Sequence, residues 1–386
     1  MPRFSLLSLA LNAVSGHRHW PAQWRSPPLG DRYDVVVVGA GGHGLAAAWH
    51  LARDHGLRNV AVLDSGWLGG GNIARNTVTI RSNYMRDESI PFYVRSVAMF
   101  DRLTRDLNYN TMHSKRGMVD VLQTWGMVRD RRRRRLTMDL HGASYRPLGV
   151  GELRRMVPAL TGGGPEARLP ILGAEFHPDA AVNRHDAVAW GYARACSAMG
   201  MHIIQNCEVT GIETENGQVR AVNTGKGRIE CDKLALIAAG HSSVLAEMAG
   251  FRLPIESLAL QALVSEPIKP CCDLVIMANT VHGYLSQSDK GEMVIGGGTD
   301  GFNNYTQRGS WHHVEETVRA LIETFPMLSR LKMLRQWGGI VDMTGDRSPI
   351  ISKTPLGNCF INCGWGTGGF KTIPGAGWAM GELIAR

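Results

Sequence analysis

The 386-residue sequence holds neither HExxH nor GxSxG, and its seven cysteines include no CxxC pair. Zinc-protease and nucleophile-elbow chemistries therefore lack the helical histidine pair and the strained serine turn they need. An odd cysteine count does not close a disulfide framework, and the spacing offers no structural zinc site. Cys359 and Cys363 fall in NCFINCGWG, which reads as a strand entering a turn. Mostly buried, reduced thiols fit a cytoplasmic location. The pairs His17/His19 and His312/His313 lack ligand spacing, so no metal is expected.

Long apolar runs are also missing: no segment reaches the roughly 20 residues that span a bilayer, so no membrane association is expected. MPRFSLLSLALNAVSG partly imitates a secretory signal, but its start is weakly charged and Ser5, Ser8 and Asn12 interrupt its apolar stretch. It reads as a retained arm over residues 1–30. Much of the net charge of +8 comes from RDRRRRR, Arg129 to Arg135. No aromatic interleaving or nucleic-acid motif accompanies that run, which therefore reads as a solvated face or a subunit contact and not as a nucleic-acid patch.

What is present points to an α/β protein. Hydrophobic residues make up 44%, with 46 Gly and 17 Pro, which fits a loop-rich chain of two domains. Four consecutive valines, Val35 to Val38, predict a short strand buried on both faces. Gly39-Ala40-Gly41-Gly42-His43-Gly44 follows as GxGxxG, then a helical pattern from Leu45 to His55, then a second strand, Val60 to Leu63, ending on Asp64. Gly39 permits the tight turn, Gly41 lets pyrophosphate approach the backbone, and Gly44 lets the helix pack close to the strand. The helix start offers unpaired N–H groups to phosphates, and Asp64 suits the ribose hydroxyls.

The same unit serves NAD and FAD. A second glycine-rich stretch, GWLGGGNIARNT (Gly70, Gly71, Asn76 and Thr77 within it), favours the longer cofactor, as does KLALIAAGHSS, an apolar strand ending at Gly240. CGWGTGGFKTIPGAGWAMGELIA then crosses a turn with Gly366, Gly368 and Gly369 into an apolar helix whose dipole suits a reduced flavin. RHDAVAWGYAR places His185 at a helix start, where Asn183 and Asp186 are the expected caps.

These segments, with GGNIARNTVTIRSNY, IIQNCEVTGI, LQALVSE and WGGIVDMTGDRSPIISKTP, resemble the D-amino-acid-oxidase-like flavoproteins, and within them the β subunits of heterotetrameric sarcosine oxidases. The resemblance runs from Tyr33 nearly to the end. It implies a Rossmann-type FAD-binding domain, glutathione-reductase-like, interleaved with an α+β substrate domain on a mostly antiparallel sheet. The expected division is 31–93, 175–250 and 335–386 for the FAD-binding domain, and 94–174 and 251–334 for the substrate and interface domain. The resemblance further implies non-covalent FAD, with Val209 among its contacts, and a covalent FMN on His185. Arg184 stands before His185 where the family has lysine.

Arg81 and Lys371 match the family's residues for the substrate carboxylate, with Lys371 also near the flavin. Val281 to Gly298 reads as paired strands, with Val294 where single-flavin relatives place an oxygen-activating lysine. The implied reaction is oxidative demethylation of sarcosine or a related N-methyl amino acid, with electrons passing from FAD to FMN and then O2. The implied partners are α, γ and δ subunits, with tetrahydrofolate bound in one of them. A somewhat longer C-terminus than one ending at Arg386 is also implied. An N-methylglutamate dehydrogenase-type subunit and a non-catalytic flavin-bound scaffold are the alternatives.

Overall fold

The computed structural model describes residues 5–18, 23–84, 86–278, 280 and 283–386. His19, Val281 and His282, named above within a pair and a strand, lie outside them. Val36 and Val37 are fully buried, as a strand covered on both faces requires. Arg32–Val38 pairs in parallel with Val60–Leu63 on one side and Gly227–Leu236 on the other. His202–Ile204 and Cys359–Cys363 extend this parallel run at its two edges. Antiparallel strands Val209–Glu215, Gln218–Thr224 and Ile350–Lys353 complete the first sheet.

Gly39 has a φ of +115°, and a β-carbon there would collide with the Ile237 carbonyl, so the chain turns sharply off the strand. The helix Gly42–His55 then lies against the C-terminal helix Ile373–Ala385. A β-carbon on Gly377 would stand 2.7 Å from the Ala46 carbonyl carbon. The two helices touch backbone to backbone, and that contact places the turn before the C-terminal helix over the nucleotide loop.

A second sheet follows the order Met333–Thr344, Ile255–Pro267, Glu292–Thr299, Gly283–Gln287, Val275–Ala278, Met118–Leu122, Gly173–His177, Arg146–Leu148. All its pairings are antiparallel except Val275–Ala278 with Met118–Leu122. The segment 335–386 is thus divided between the sheets, because Met333–Thr344 pairs along Ile255–Pro267 before the chain returns at Ile350. The side chain of Asn72 links the sheets, accepting from the Ile340 N–H at 2.9 Å and donating to the Ile340 carbonyl.

A small third sheet joins Thr79–Ile80, Ala181–Val182 and Ser114–Lys115. It sets Arg81 just past one strand end and the helix His185–Ala198 just past another. That helix start differs from expectation. Arg184 occupies the cap position without a side-chain capping bond to the helix, and Asp186 lies in the first turn. The Asn183 side chain is drawn away by Thr111 and His113, to which it bonds at 3.2 and 2.5 Å. All seven cysteines are free, six of them buried. Residues Leu6–Val14 of the expected arm form a helix with no buried residue. Among the described residues no helix is long and apolar enough to cross a membrane.

Candidate functional site

A cavity of about 1450 Å³ runs between the two sheets. Its volume exceeds that of ordinary small-ligand sites, leaving room for a dinucleotide and a substrate together. Gly39, Gly41, Gly42, His43, Asp64, Gly70, Gly71, Asn76, Thr77 and Val209 line it, together with Gly366, Gly368 and Gly369 of the turn. Gly44 and Gly240 do not. Gly44 packs on the Gly39 carbonyl, and Gly240 is wedged against Ile340, so its neighbours Ala239 and His241 face the space instead.

The lining fits FAD. The helix that starts at Gly42 has no side-chain cap and no acid in its first turn, and a β-carbon at Gly41 would meet nothing within 4 Å. Open space in front of unpaired N–H groups is what a pyrophosphate requires. Asp64 accepts from the Ala40 and Gly66 N–H groups at 2.8 and 2.9 Å, one on each oxygen. Each oxygen keeps a lone pair for a ribose hydroxyl. Burial pushes the Asp64 carboxyl upward, against the pull of those two N–H groups.

At the other end Asp342, 2% exposed, anchors the glycine-rich turn. Its carboxylate accepts from the Gly364 N–H at 2.5 Å, and the Trp365 and Gly366 N–H groups also face it. Burial pushes its pKa up to about 6 even so. His43 holds the far side of the turn through the Gly369 carbonyl at 2.7 Å. Burial depresses the His43 pKa, so the ring is neutral and Nε2–H donates.

Arg81 and Lys371 meet in this cavity with Tyr84 between them. Lys371, 5% exposed, donates from Nζ to the Thr367 carbonyl at 2.8 Å and to the Tyr84 hydroxyl at 3.1 Å. The Arg81 guanidinium lies 4.8 Å from the Tyr84 ring centroid and donates to Asn83 Oδ1 at 2.7 Å. Asn83 Nδ2 in turn donates to Asp120 at 3.2 Å, and the Tyr145 hydroxyl donates to the same Asp120 oxygen. Burial and the Arg81 charge lower the Lys371 pKa, opposed by Tyr84. For Tyr84, burial works upward, but the Lys371 and Arg81 charges outweigh it and bring the phenol below its ordinary value.

The arginine run does not form a purely solvated face. On the helix Trp125–Leu140, Arg133 is exposed, while Arg131 and Arg134 line the cavity. Arg131 approaches Asp120 at 3.5 Å, and Arg135 binds Glu175 at 2.8 Å. Positions 131, 134, 135 and 138 share one helix face, and the buried acids on the neighbouring strands draw it inward. Asn83 and Tyr84 close the TIRSNY segment that carries Arg81, whereas Asp120, Arg131 and Arg134 carry no linear motif, and the inward face of the arginine helix was their available signal.

His185 stands apart from the cavity. Its ring is half-buried and makes no hydrogen bond among the described residues, while Arg184 is held sideways by Asp186 at 3.0 and 2.6 Å. Burial holds the His185 pKa below the usual imidazole value. Val294 also lies outside the cavity lining, where Gly297, Gly298 and Thr299 face the space instead. His313 lines the cavity and pairs with Asp300 at 2.8 Å. Among the described residues no His, Cys, Asp or Glu cluster could hold a metal.

Known proteins resemble this arrangement along the whole chain. The family model described as FAD dependent oxidoreductase (DAO) matches residues 34–383. The sarcosine oxidase subunit beta of Rhodobacter capsulatus is 60% identical over 386 residues, covering 100% of this chain and 93% of that one. Its namesake from an Arthrobacter species is 49% identical over 363 residues, 94% of this chain and 89% of that one. Among solved structures, L-proline dehydrogenase from P. horikoshii superposes with a TM-score of 0.85 at 23% identity, covering 92% of this chain and 94% of that one. Glycine oxidase from Geobacillus kaustophilus gives 0.83 at 19%, covering 92% and 95%. The chain belongs to the DAO family of FAD-dependent oxidoreductases, where it groups with the sarcosine oxidase β subunits, and is a flavin enzyme acting on the C–N bond of amino acids.

Proposed function

We propose that this chain is the catalytic β subunit of a sarcosine oxidase complex with α, γ and δ partners. The reaction is sarcosine, water and O2 giving glycine, formaldehyde and H2O2, or methylene-tetrahydrofolate where a partner subunit holds the folate. FAD supplies a two-electron acceptor for the N-methyl hydride, and FMN on His185 a relay toward oxygen. The observation that carries this reading is the convergence of Arg81 and Lys371 on one cavity beside the nucleotide loop.

Arg81 can grip a carboxylate through two parallel N–H bonds, because Asn83 fixes one side of its planar fork. Lys371 adds a point charge from the glycine-rich turn. A small carboxylate clamped at both cations has its N-methyl group directed along the cavity and away from water. His185 supports the covalent attachment in a different way. A neutral imidazole without hydrogen bonds keeps a nucleophilic nitrogen, and Asp186 engages the Arg184 charge that stands beside it.

Anaerobic titration of the holoenzyme with sarcosine tests the catalytic claim: bleaching of the flavin is expected in wild type, and its loss in Arg81→Ala. Full activity in Arg81→Ala and Lys371→Ala would favour a scaffold subunit instead. One observation favours a second reading. Arg131 and Arg134 bring extra cations to the cavity, as the side-chain carboxylate of N-methylglutamate would require. Faster bleaching by N-methylglutamate than by sarcosine, without peroxide, would establish it.

A further inference from the structure

A secondary ammonium has no lone pair on nitrogen, so the substrate must lose a proton before a hydride can leave its methyl carbon. The groups that clamp the carboxylate are cations and cannot take that proton. Tyr84 is the ionisable group set between them, and as a phenolate it can take that proton.

Its surroundings are specific. Lys371 Nζ lies 3.1 Å from the Tyr84 hydroxyl, and the Arg81 guanidinium faces its ring at 4.8 Å. Tyr93, from the helix Ile90–Asp106, stacks on it with centroids 3.6 Å apart and planes 8° from parallel. Both hydroxyls converge where a β-carbon on Gly368 would stand, 3.3 Å from that of Tyr84. The remaining charged groups of this end of the cavity are Asp120, engaged by Asn83 and Tyr145, and Arg131 and Arg134. Two cations thus face one phenol, whose side-chain hydrogen-bond partners are Lys371 and Tyr93.

We propose that Tyr84 is the base that receives the proton of the substrate ammonium, and that the substrate carboxylate takes the place of the Tyr84 phenolate as counter-ion to Arg81 and Lys371. The proposal rests on the reading of the cavity as an amino-acid site. The exchange balances: one N–H bond breaks, one O–H bond forms, and no electrons leave either partner. A zwitterion enters, and a neutral amine beside a bound carboxylate results. The incoming carboxylate also makes Tyr84 more basic, because it screens the two cations that favour the phenolate. Tyr93 stays a phenol, since burial and the neighbouring Tyr84 both raise its pKa, and it can donate to the Tyr84 oxygen. Lys371 lends its charge without surrendering its place on the Thr367 carbonyl.

Methoxyacetate, which has the carboxylate and size of sarcosine but no ammonium, isolates this exchange. Its binding to the holoenzyme is to be followed by calorimetry in buffers of different ionisation enthalpy, from neutral to alkaline pH. Uptake approaching one proton per site is expected over the interval between the Tyr84 pKa in the free enzyme and its higher value with anion bound. Tyr84→Phe, which keeps the stacked ring, should bind methoxyacetate without that uptake. With sarcosine, the same variant should bleach its flavin about 100-fold more slowly near neutral pH and recover as pH rises. Failure of methoxyacetate to bind, no uptake in wild type at any pH, or equal uptake in Tyr84→Phe would overturn the proposal. If sarcosine fails to bleach wild-type flavin, the substrate reading falls, while the methoxyacetate titration still decides the role of Tyr84.

Discussion

Arg81 is held by a chain of buried polar side chains, Asn83 then Asp120 then Tyr145, and each link comes from a different part of the sequence. A partly buried guanidinium with one side fixed in this way presents its free edge in a single orientation. Arg81→Lys keeps the charge but loses the fork, so kcat/KM should fall about 100-fold with flavin content unchanged. Steady-state kinetics and the absorption spectrum of the purified variant check both halves. The arginine itself was legible in TIRSNY through a family resemblance. Its more distant supports were not, because Asp120 meets Asn83 only after two strands and a helix have been placed.

Among the elements, the glycine-rich turn between Cys363 and Lys371 depends on Asp342, which belongs to the other sheet. Without that carboxylate, the Gly364, Trp365 and Gly366 N–H groups lose a shared acceptor in a buried place. Asp342→Ala should therefore retain less than about one tenth of the wild-type FAD after desalting, measured by flavin absorbance against protein. The nucleotide helix carries its own pH dependence. His50 is fully buried beside Asp54, and burial lowers its pKa from 6.5 to about 4. The unfolded chain binds the proton more tightly, so this contribution is present above pH 6.5 and is lost as pH falls toward 4. The full loss is about 3 kcal/mol, and His50→Gln should flatten the decline of Tm over that interval.

The arginine helix shows why such an element is hard to read alone. Its run of like charges has the composition of a solvated face, yet Arg131, Arg134 and Arg135 turn inward. Asp120 and Glu175, on two neighbouring strands of the second sheet, pair with Arg131 and Arg135, while Asp130 on the helix itself pairs with Arg131 and Arg134. Burying a charge is costly unless it is paired, and the part of the pairing that turns Arg131 and Arg135 inward is a property of the sheet.

For the whole molecule, the proposed FMN on His185 would be separate from the FAD cavity: the cavity lies between the sheets, whereas His185 opens a helix outside its lining. Acid precipitation of the complex should leave yellow colour in the protein pellet, and His185→Ala should lose that colour and most of its peroxide formation. Flavin released wholly to the supernatant from wild type would remove the covalent assignment.

The sequence by itself determined the nucleotide loop, because strand, turn, helix and acid are contiguous and each acts through its own backbone or a neighbour within one βαβ unit. It also singled out Arg81 and Lys371, the cations of the proposed substrate clamp, through a resemblance carried by short motifs. Only the tertiary structure decided what surrounds them. Tyr84 is set between Arg81 and Lys371, and Arg131 is brought to Asp120, by the closure of one sheet on another. The contacts of Tyr84 with Lys371 and of Arg131 with Asp120 depend on packing between distant segments, and no local spacing records them.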